Sequence, residues 1–271
     1  MELESQKDAL GRRGLGVAAL SYDSEAVLRD FAARRGITFP LLSDPDSAVI
    51  RRFGLLDPEY PPGDRAHGVP RPVTFVLDPA GVVRSRLAEE SYVNRRTAAS
   101  FLVLAGGEGA GARELRTEFF TVRAASSNPV VVPGEKVTLH VDVDLAPGFH
   151  AYAPGAGSYR ALELRLEPQP RLSYGETLLP ESRPYRFEPL QETVPVFEGR
   201  VRVLRDVTFA GGRDWGDALA AGPATLVLEG SLEYQVCSAT KCYPPAALPL
   251  RWTFEVRPLD RERPPEALRR R

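Results

Sequence analysis

The sequence is poor in the residues that most directly carry chemistry. Only two cysteines, three histidines, two tryptophans and one methionine occur in 271 residues. Two cysteines are too few for a disulfide-scaffolded mini-protein. They suit one redox pair, one staple or two unrelated thiols. The histidines, His67, His140 and His150, are scattered, which excludes a histidine-rich metal motif. An excess of either charge is lacking too. The formal net charge of −1 leaves no electrostatic footprint for nucleic acid or an anionic membrane. No apolar run approaches the length of a membrane-spanning helix. The opening "MELESQKDALGRRG" is polar and helical in pattern, unlike a secretory signal. What remains is ordinary globular composition, 43% hydrophobic and 26% charged, in a chain long enough for two domains.

Residues 2–103 alternate between helical and extended patterns. "LESQKDALGRR" sets Leu3 and Leu10 seven apart and stops at Gly14. "LGVAALS" reads as a short buried parallel strand. "SEAVLRDFAARRG" is the clearest helix: Ser24 caps it, Val27, Leu28 and Phe31 form its apolar stripe, and Gly36 ends it. "PVTFVLD" and "VVRSRLA" read as a hairpin turning at Pro79–Gly81, and a helix at about 91–103 closes this half. "AGGEGAGARE", 105–114, holds four glycines and no large apolar residue, and reads as a flexible linker.

Beyond it the period becomes two. Leu226, Leu228, Leu232, Tyr234 and Val236 alternate with polar residues, as do Leu248, Leu250, Trp252, Phe254 and Val256. "EKVTLHVDVDL" repeats the pattern. This predicts an antiparallel sandwich. The expected division is 1–104, a linker at 105–113, the β domain at 114–258 and a loose charged tail at 259–271.

Both cysteines lie in "YQVCSATKCYPP", with Cys237 ending one strand and Cys242 preceding the next. A short hairpin brings such positions within bonding reach. A bridge closing about six residues restrains the unfolded chain by only about 2 kcal/mol. Zinc would need two further ligands, and none is spaced nearby. On spacing alone a redox pair and a structural staple stand level.

The stretches "VAALSYDSEAVLRDFAARRGITFPLLSDPDSAVIRRFGL" and "GVPRPVTFVLDPAGVV" resemble the peroxiredoxin and thioredoxin-like redoxins, over roughly residues 1–103. The resemblance implies an α/β thioredoxin-like fold, here incomplete, with Pro72 as the family's cis-proline. It also implies a nucleophilic cysteine just before the first helix. This sequence has no cysteine before position 237, and a thiol peroxidase without a thiol has no nucleophile. The half is therefore expected to be a fragment whose start lies upstream.

"GSLEYQVCSATKCYPPAALPLRW", with "PGFHAYAPG" and "VPVFEG", resembles the N-terminal domain of the thiol:disulfide interchange protein DsbD, over roughly 114–258. The resemblance implies an immunoglobulin-like sandwich. It makes Cys237 and Cys242 a redox-active disulfide that needs no other cofactor and no metal. Cys242 would exchange with partners and Cys237 would resolve. Phe197 matches the aromatic that caps the disulfide, Tyr152 an aromatic beside it, and Tyr243 belongs to the cysteine–proline motif. His150 reads as a packed strand histidine, and Trp252 and Phe254 as core.

Implied partners are thioredoxin-like proteins and possibly a separate membrane electron carrier, with no nucleic acid and no membrane span of the chain's own. The implied setting is periplasmic or otherwise extracytoplasmic, with a cytoplasmic one still open. The implied function is a thiol–disulfide oxidoreductase module. A non-catalytic adaptor with a structural disulfide stays open, as does a fragment of a peroxiredoxin-like protein whose cysteine lies upstream. Residues 1–104 alone are expected to show no thiol-dependent peroxide turnover; an assay of that segment with peroxide and a dithiol checks this, and turnover would refute it.

Overall fold

The computed structural model describes residues 2–88, 95–104, 106–187, 191–260 and 262–268. It divides into two compact units, Met1–Ala98 with Leu259–Arg271, and Ala99–Pro258.

The first unit runs α1 (Glu2–Gly11), β1 (Ala19–Ser21), α2 (Glu25–Arg35), β2 (Leu41–Ser43), α3 (Ala48–Arg52), β3 (Val73–Leu77), β4 (Val83–Ala88) and β5 (Arg95–Arg96). Helix α2 forms where its capping signals fall: the Ser24 side chain accepts from the Val27 amide and Gly36 closes the C-terminus. Its stripe is only partly used, since Leu28 is buried and Phe31 is exposed. β1 and β2 pair in parallel, Ala19 opposite Leu41, while β3 and β4 pair antiparallel. The parallel pairing fits expectation but the burial does not. Leu20 and Leu42 remain exposed on a sheet of only two strands. The Pro72 peptide bond is trans, against the cis bond expected there. A trans bond is also the state that the intrinsic preference of X–Pro bonds favours. The tail is not wholly loose. Asp260 and Glu262 pair with Arg35, each at 2.5 Å, and Glu262 also with Arg34, at 3.4 Å. These carboxylates are about half exposed, so the pairs contribute little to stability.

Helix α4 (Ala98–Leu104) leads into the second unit; positions 91–94 of the helix expected at 91–103 lie outside the described residues. Thirteen strands follow: β6 (Ala110–Arg116), β7 (Phe120–Ser126), β8 (Val130–Val131), β9 (Glu135–Leu145), β10 (Phe149–Tyr152), β11 (Glu163–Leu166), β12 (Leu172–Leu178), β13 (Arg183–Phe187), β14 (Glu192–Glu198), β15 (Arg200–Phe209), β16 (Ala224–Tyr234), β17 (Val236–Ser238) and β18 (Ala246–Val256). One sheet has the order β12-β15-β9-β7-β6, a second β11-β16-β18-β8 and a third β13-β14-β10-β17. The first two share one core, with Val137, Leu139, Val141 and Val203 from one and Leu228, Trp252 and Phe254 from the other. Period-two patterning dictates this outcome, because alternate residues of each strand face the same side.

The reading of 105–113 as a flexible linker is corrected. Residues 110–113 lie in β6, paired with β7. The preceding residues cover the polar face of β9 and β15. The Gly109 amide donates to His140 Nε2 at 2.9 Å, and Arg202 donates to the Gly107 carbonyl at 2.9 Å. Arg202 also faces Asp142 across the strands and grips it with two hydrogen bonds of 2.6 and 2.7 Å. His140 Nδ1 lies 3.3 Å from the same carboxylate. Gly109 therefore serves close approach rather than flexibility: a Cβ there would sit 2.4 Å from the Ser126 carbonyl oxygen and 2.6 Å from His140 Nε2.

Burial pushes the Asp142 carboxyl up, but the two hydrogen bonds from the Arg202 guanidinium and the adjacent His140 ring outweigh it and hold the group well below the usual carboxylate range. A depressed native pKa gives stability that is present above about pH 4, the unfolded aspartate range, and is lost as pH falls toward the native value. Asp142→Asn is expected to cost about 3 kcal/mol at neutral pH by leaving Arg202 without its partner. It should also flatten the fall in urea midpoint below about pH 4. Gly109→Ala should cost about 1–3 kcal/mol by overpacking. Urea titrations of the wild type and both variants across pH check all three.

Candidate functional site

The two cysteines are joined by a hairpin that the sequence builds locally. In the turn Ser238–Lys241, the Ser238 amide donates to the Lys241 carbonyl at 2.8 Å. The Ser238 hydroxyl accepts from the Lys241 amide at 3.1 Å, a serine-type turn. The turn leaves Cys237 and Cys242 paired, with 4.1 Å between their Cα atoms and their sulfurs bonded as a disulfide. The Tyr243 amide then donates to the Val236 carbonyl, which fixes the far side of the hairpin.

The two sulfurs meet opposite environments. Cys237 is wholly buried, and Cys242 is exposed on the turn. In register, β10 sets His150 opposite Cys237 and Ala151 opposite Val236 on one side, and Ala151 opposite Phe197 and Tyr152 opposite Val196 on the other. Paired residues share a face, so the sheet sorts its side chains in two. Ala151, Phe197 and Val236 join the main core, whereas Tyr152, Val196 and Cys237 form a separate cluster with Val194 and Ala156.

Phe197 is therefore corrected from cap to core. Its ring is 4% exposed and belongs to the main core cluster, one residue out of phase with the disulfide face. The groups that do crowd the disulfide are Tyr152 and Val196. The Tyr152 hydroxyl lies 3.0 Å from Cys237 Sγ and 3.4 Å from Cys242 Sγ, so this predicted site residue sits beside both sulfurs. Tyr243 follows Cys242 in the chain, but its ring packs with Phe119 and Phe149, at centroid distances of 4.5 and 6.2 Å. The Lys241 ammonium lies 4.6 Å over that ring, a cation–π contact beside the exposed sulfur. His150 is buried under Tyr185, ring centroids 4.2 Å apart, and burial lowers its pKa despite the Glu198 charge. Trp252 and Phe254 are core, as expected.

Sequence reading missed Tyr159, Tyr185 and Glu192. Tyr159 stacks on Tyr152 with centroids 4.1 Å apart and planes 9° from parallel, and its hydroxyl donates to Glu192. Burial first, then the Tyr159 and Glu192 neighbours, push the Tyr152 phenol well above its ordinary range. Tyr159 is raised chiefly by its bond to Glu192. No local signal in "PGAGSYR" marks Tyr159, because its position follows from how a loop folds back.

Such an arrangement suits thiol exchange: one accessible sulfur, one shielded sulfur and a hydrogen-bonding phenol at both. Among the described residues, no group of three or more histidine, cysteine, aspartate or glutamate side chains is placed to hold a metal.

Residues 116–249 match the family of the thiol:disulfide interchange protein DsbD, N-terminal, and residues 1–86 match the AhpC/TSA family. The chain joins a thioredoxin-like region to a β-rich DsbD-type domain. In the AhpC/TSA region it is 40% identical to a putative peroxiredoxin of Mycobacterium tuberculosis over 70 residues, covering 26% of this chain and 44% of that protein. It is 38% identical to the peroxiredoxin Bcp of Xanthomonas campestris pv. campestris over 76 residues, 28% of this chain and 45% of that protein. The chain thus spans less than half the length of these curated relatives. Among solved structures it is similar to the N-terminal periplasmic domain of ScsB from Proteus mirabilis, with 16% identity, a TM-score of 0.35 and coverage of 54% of this chain and 50% of that one. The cysteine pair lies inside the DsbD-type region, and the AhpC/TSA region contains no cysteine. Among the described residues no helix is long and apolar enough to cross a membrane.

Phe197→Ala in the DsbD-type domain should cost about 3–5 kcal/mol as a core truncation. It should leave the rate at which small thiols reduce the disulfide unchanged. A urea melt and a reduction time course check the pair of outcomes, and faster reduction would restore Phe197 as a cap.

Proposed function

We propose that this chain is a thiol–disulfide exchange module that passes electron pairs between its Cys237–Cys242 disulfide and thioredoxin-like partners. The observation that carries this reading is the asymmetry of the pair: Cys242 exposed on a turn, Cys237 wholly buried, and the Tyr152 hydroxyl within reach of both sulfurs. The shared core of the two larger sheets supports an immunoglobulin-like sandwich as the scaffold. The match to the DsbD N-terminal family supports an extracytoplasmic setting and a separate membrane electron carrier as donor.

In the reductive direction a partner thiolate attacks Cys242 Sγ along the S–S axis. The S–S bond breaks, and Cys237 leaves as a thiolate that the Tyr152 hydroxyl stabilises. The partner's second thiolate then attacks its own sulfur in the mixed disulfide. Cys242 is released as a thiolate, and the partner leaves as a disulfide. Two electrons have moved to this chain, and two protons complete the dithiol. The oxidative direction is the reverse: Cys242 attacks a partner disulfide and Cys237 resolves. Loop closure of about six residues contributes only about 2 kcal/mol, so stability gives this bridge little reason to exist.

A redox titration of Cys237–Cys242 is expected to give a potential above about −300 mV. Cys237→Ala should trap a mixed disulfide with a thioredoxin-like protein through Cys242, and Cys242→Ala should trap little. A potential below about −300 mV would mark a structural bridge and favour the adaptor.

A further inference from the structure

We infer that Lys241 sets the partner class of this site: its ammonium, held on the turn that carries the exposed Cys242, favours disulfides and thiols flanked by carboxylates and disfavours those flanked by amines. The inference rests on the exchange reading above, with Cys242 as the sulfur that partners meet.

The cysteine hairpin carries one fixed charge. Across "YQVCSATKCYPP", residues 234–245, Lys241 is the one lysine, arginine, aspartate or glutamate. Lys241 and Cys242 are both exposed, whereas Cys237 is wholly buried. An approaching partner therefore meets the ammonium and the accessible sulfur together. Among the described residues Lys241 forms no ion pair, so its charge is not already taken up by a carboxylate of this chain.

That charge is also held in place. The Ser238 amide donates to the Lys241 carbonyl at 2.8 Å and the Lys241 amide to the Ser238 hydroxyl at 3.1 Å, which fixes the backbone. The side chain lies over the Tyr243 ring, with 4.6 Å from the ammonium to the centroid. The ring is fixed in turn. The Tyr243 amide donates to the Val236 carbonyl at 3.0 Å, and the Tyr243 carbonyl accepts from Gln235 Nε2 at 3.1 Å. Its ring packs with Phe119 and Phe149, which stand against the main core. A lysine free in solvent loses rotamer freedom when it pairs with an anion. One already resting on a fixed ring loses less.

The surrounding charges do not cancel it at the turn. On the outer face of the third sheet, Glu198 stands opposite His150 and Arg183 opposite Val196, one charge of each sign. Glu192 is bonded to Tyr159. Glu118 lies in the connection between β6 and β7, beside Phe119, and does not pair with Lys241. His150 is buried, which disfavours its charged form despite Glu198.

Selection acts in the exchange itself. The Cys242 thiolate attacks a partner disulfide: a bond forms between Cys242 Sγ and one partner sulfur, the partner S–S bond breaks, and the other sulfur leaves as a thiolate. Cys237 then attacks Cys242 Sγ, the internal disulfide forms and the second partner thiolate leaves. Two electrons pass to the partner, and the two cysteine protons go to solvent. A carboxylate flanking the partner sulfur is attracted to Lys241 during the first step, and an amine there is repelled. Lys241 is thus a specificity residue and takes no part in the electron transfer.

The full chain, reduced and desalted, is mixed anaerobically with excess glutathione disulfide, whose sulfurs are flanked by carboxylates, or cystamine, whose sulfurs are flanked by amines. Time points are quenched with N-ethylmaleimide, and the remaining thiols are counted by mass spectrometry. The quantity read is the ratio of the two initial rates. The ionised fraction of Cys242 cancels in this ratio, because the same thiolate attacks both probes. Lys241→Gln is expected to lower the ratio of glutathione disulfide to cystamine about fivefold and Lys241→Glu about 25-fold, while Lys241→Arg stays within about twofold of wild type. Salt at about 1 M should bring the wild-type ratio toward that of Lys241→Gln. A ratio unchanged by Lys241→Glu would overturn the inference, and so would an equal fall in Lys241→Arg and Lys241→Gln. The assay starts from chemically reduced protein, so it reads charge selection whatever the redox potential of the pair. A structural potential with a shifted ratio counts against the exchange reading alone, and an exchange-type potential with an unshifted ratio counts against this inference alone.

Discussion

The geometry of the site depends on one constraint: the two-residue period of strand β10 between its two neighbours. Because β14 and β17 both pair with Phe149–Tyr152, a single alternation decides which side chains reach the sulfurs. Ala151 takes Phe197 and Val236 into the core, while His150 and Tyr152 take Cys237 and Val196 to the opposite face. A slip of one residue in either pairing would exchange these sets and bury the chemistry in the core. The large core of the two main sheets thus fixes register for a site that lies outside it. Ala151 faces that core and is 1% exposed, and its small side chain leaves room for Phe197 beside it.

On the outer face the disulfide is closed by the apolar cluster of Ala156, Val194 and Val196 together with the Tyr152 hydroxyl. Tyr152 and Tyr159 stack nearly parallel, and the Tyr159 hydroxyl is anchored by Glu192 from another strand. The stack covers the buried sulfur while Cys242 stays on its turn. An aromatic pair of this kind contributes about 1 kcal/mol beyond its burial. That is enough to favour the stacked arrangement. The shielding that a cap would supply is therefore present, but it comes from tyrosines on β10 and the loop after it rather than from Phe197.

Much of this was legible in the sequence, and the failures share a cause. Alternation over 226–236 and 248–256 marks the strands that became β16 and β18, and Trp252 and Phe254 fell in the core. The hairpin between Cys237 and Cys242 was legible because its turn is local. Phe197 was misread because motif position says nothing of phase, which only the pairing with Ala151 reveals. Residues 106–109 were misread because glycine looks the same whether it frees a chain or lets it approach another. Here the polar residues of β9, His140 and Asp142, supply the docking groups. Their alternation with Leu139, Val141 and Val143 marks a strand but not what docks on its polar face.

Tyr159 shows how chemistry can arise from residues with no signature of their own. The segment after β10 must reverse within a few residues to return as β11, which pairs with the distant β16. Gly155 and Gly157 both adopt left-handed backbone angles, with φ of 91° and 64°, which L side chains rarely take. Between them Ala156 is small enough to bury against the disulfide cluster. The Tyr159 amide donates to the Ala156 carbonyl, and the Leu162 amide to the Tyr152 carbonyl, so the reversal is stitched to the strand it left. A larger side chain at 156 would lift the loop and with it the Tyr159 ring. The small residues of "PGAGS" therefore specify the site indirectly: they carry no reactive group, but they set how closely the Tyr159 ring lies on Tyr152, the phenol beside both sulfurs.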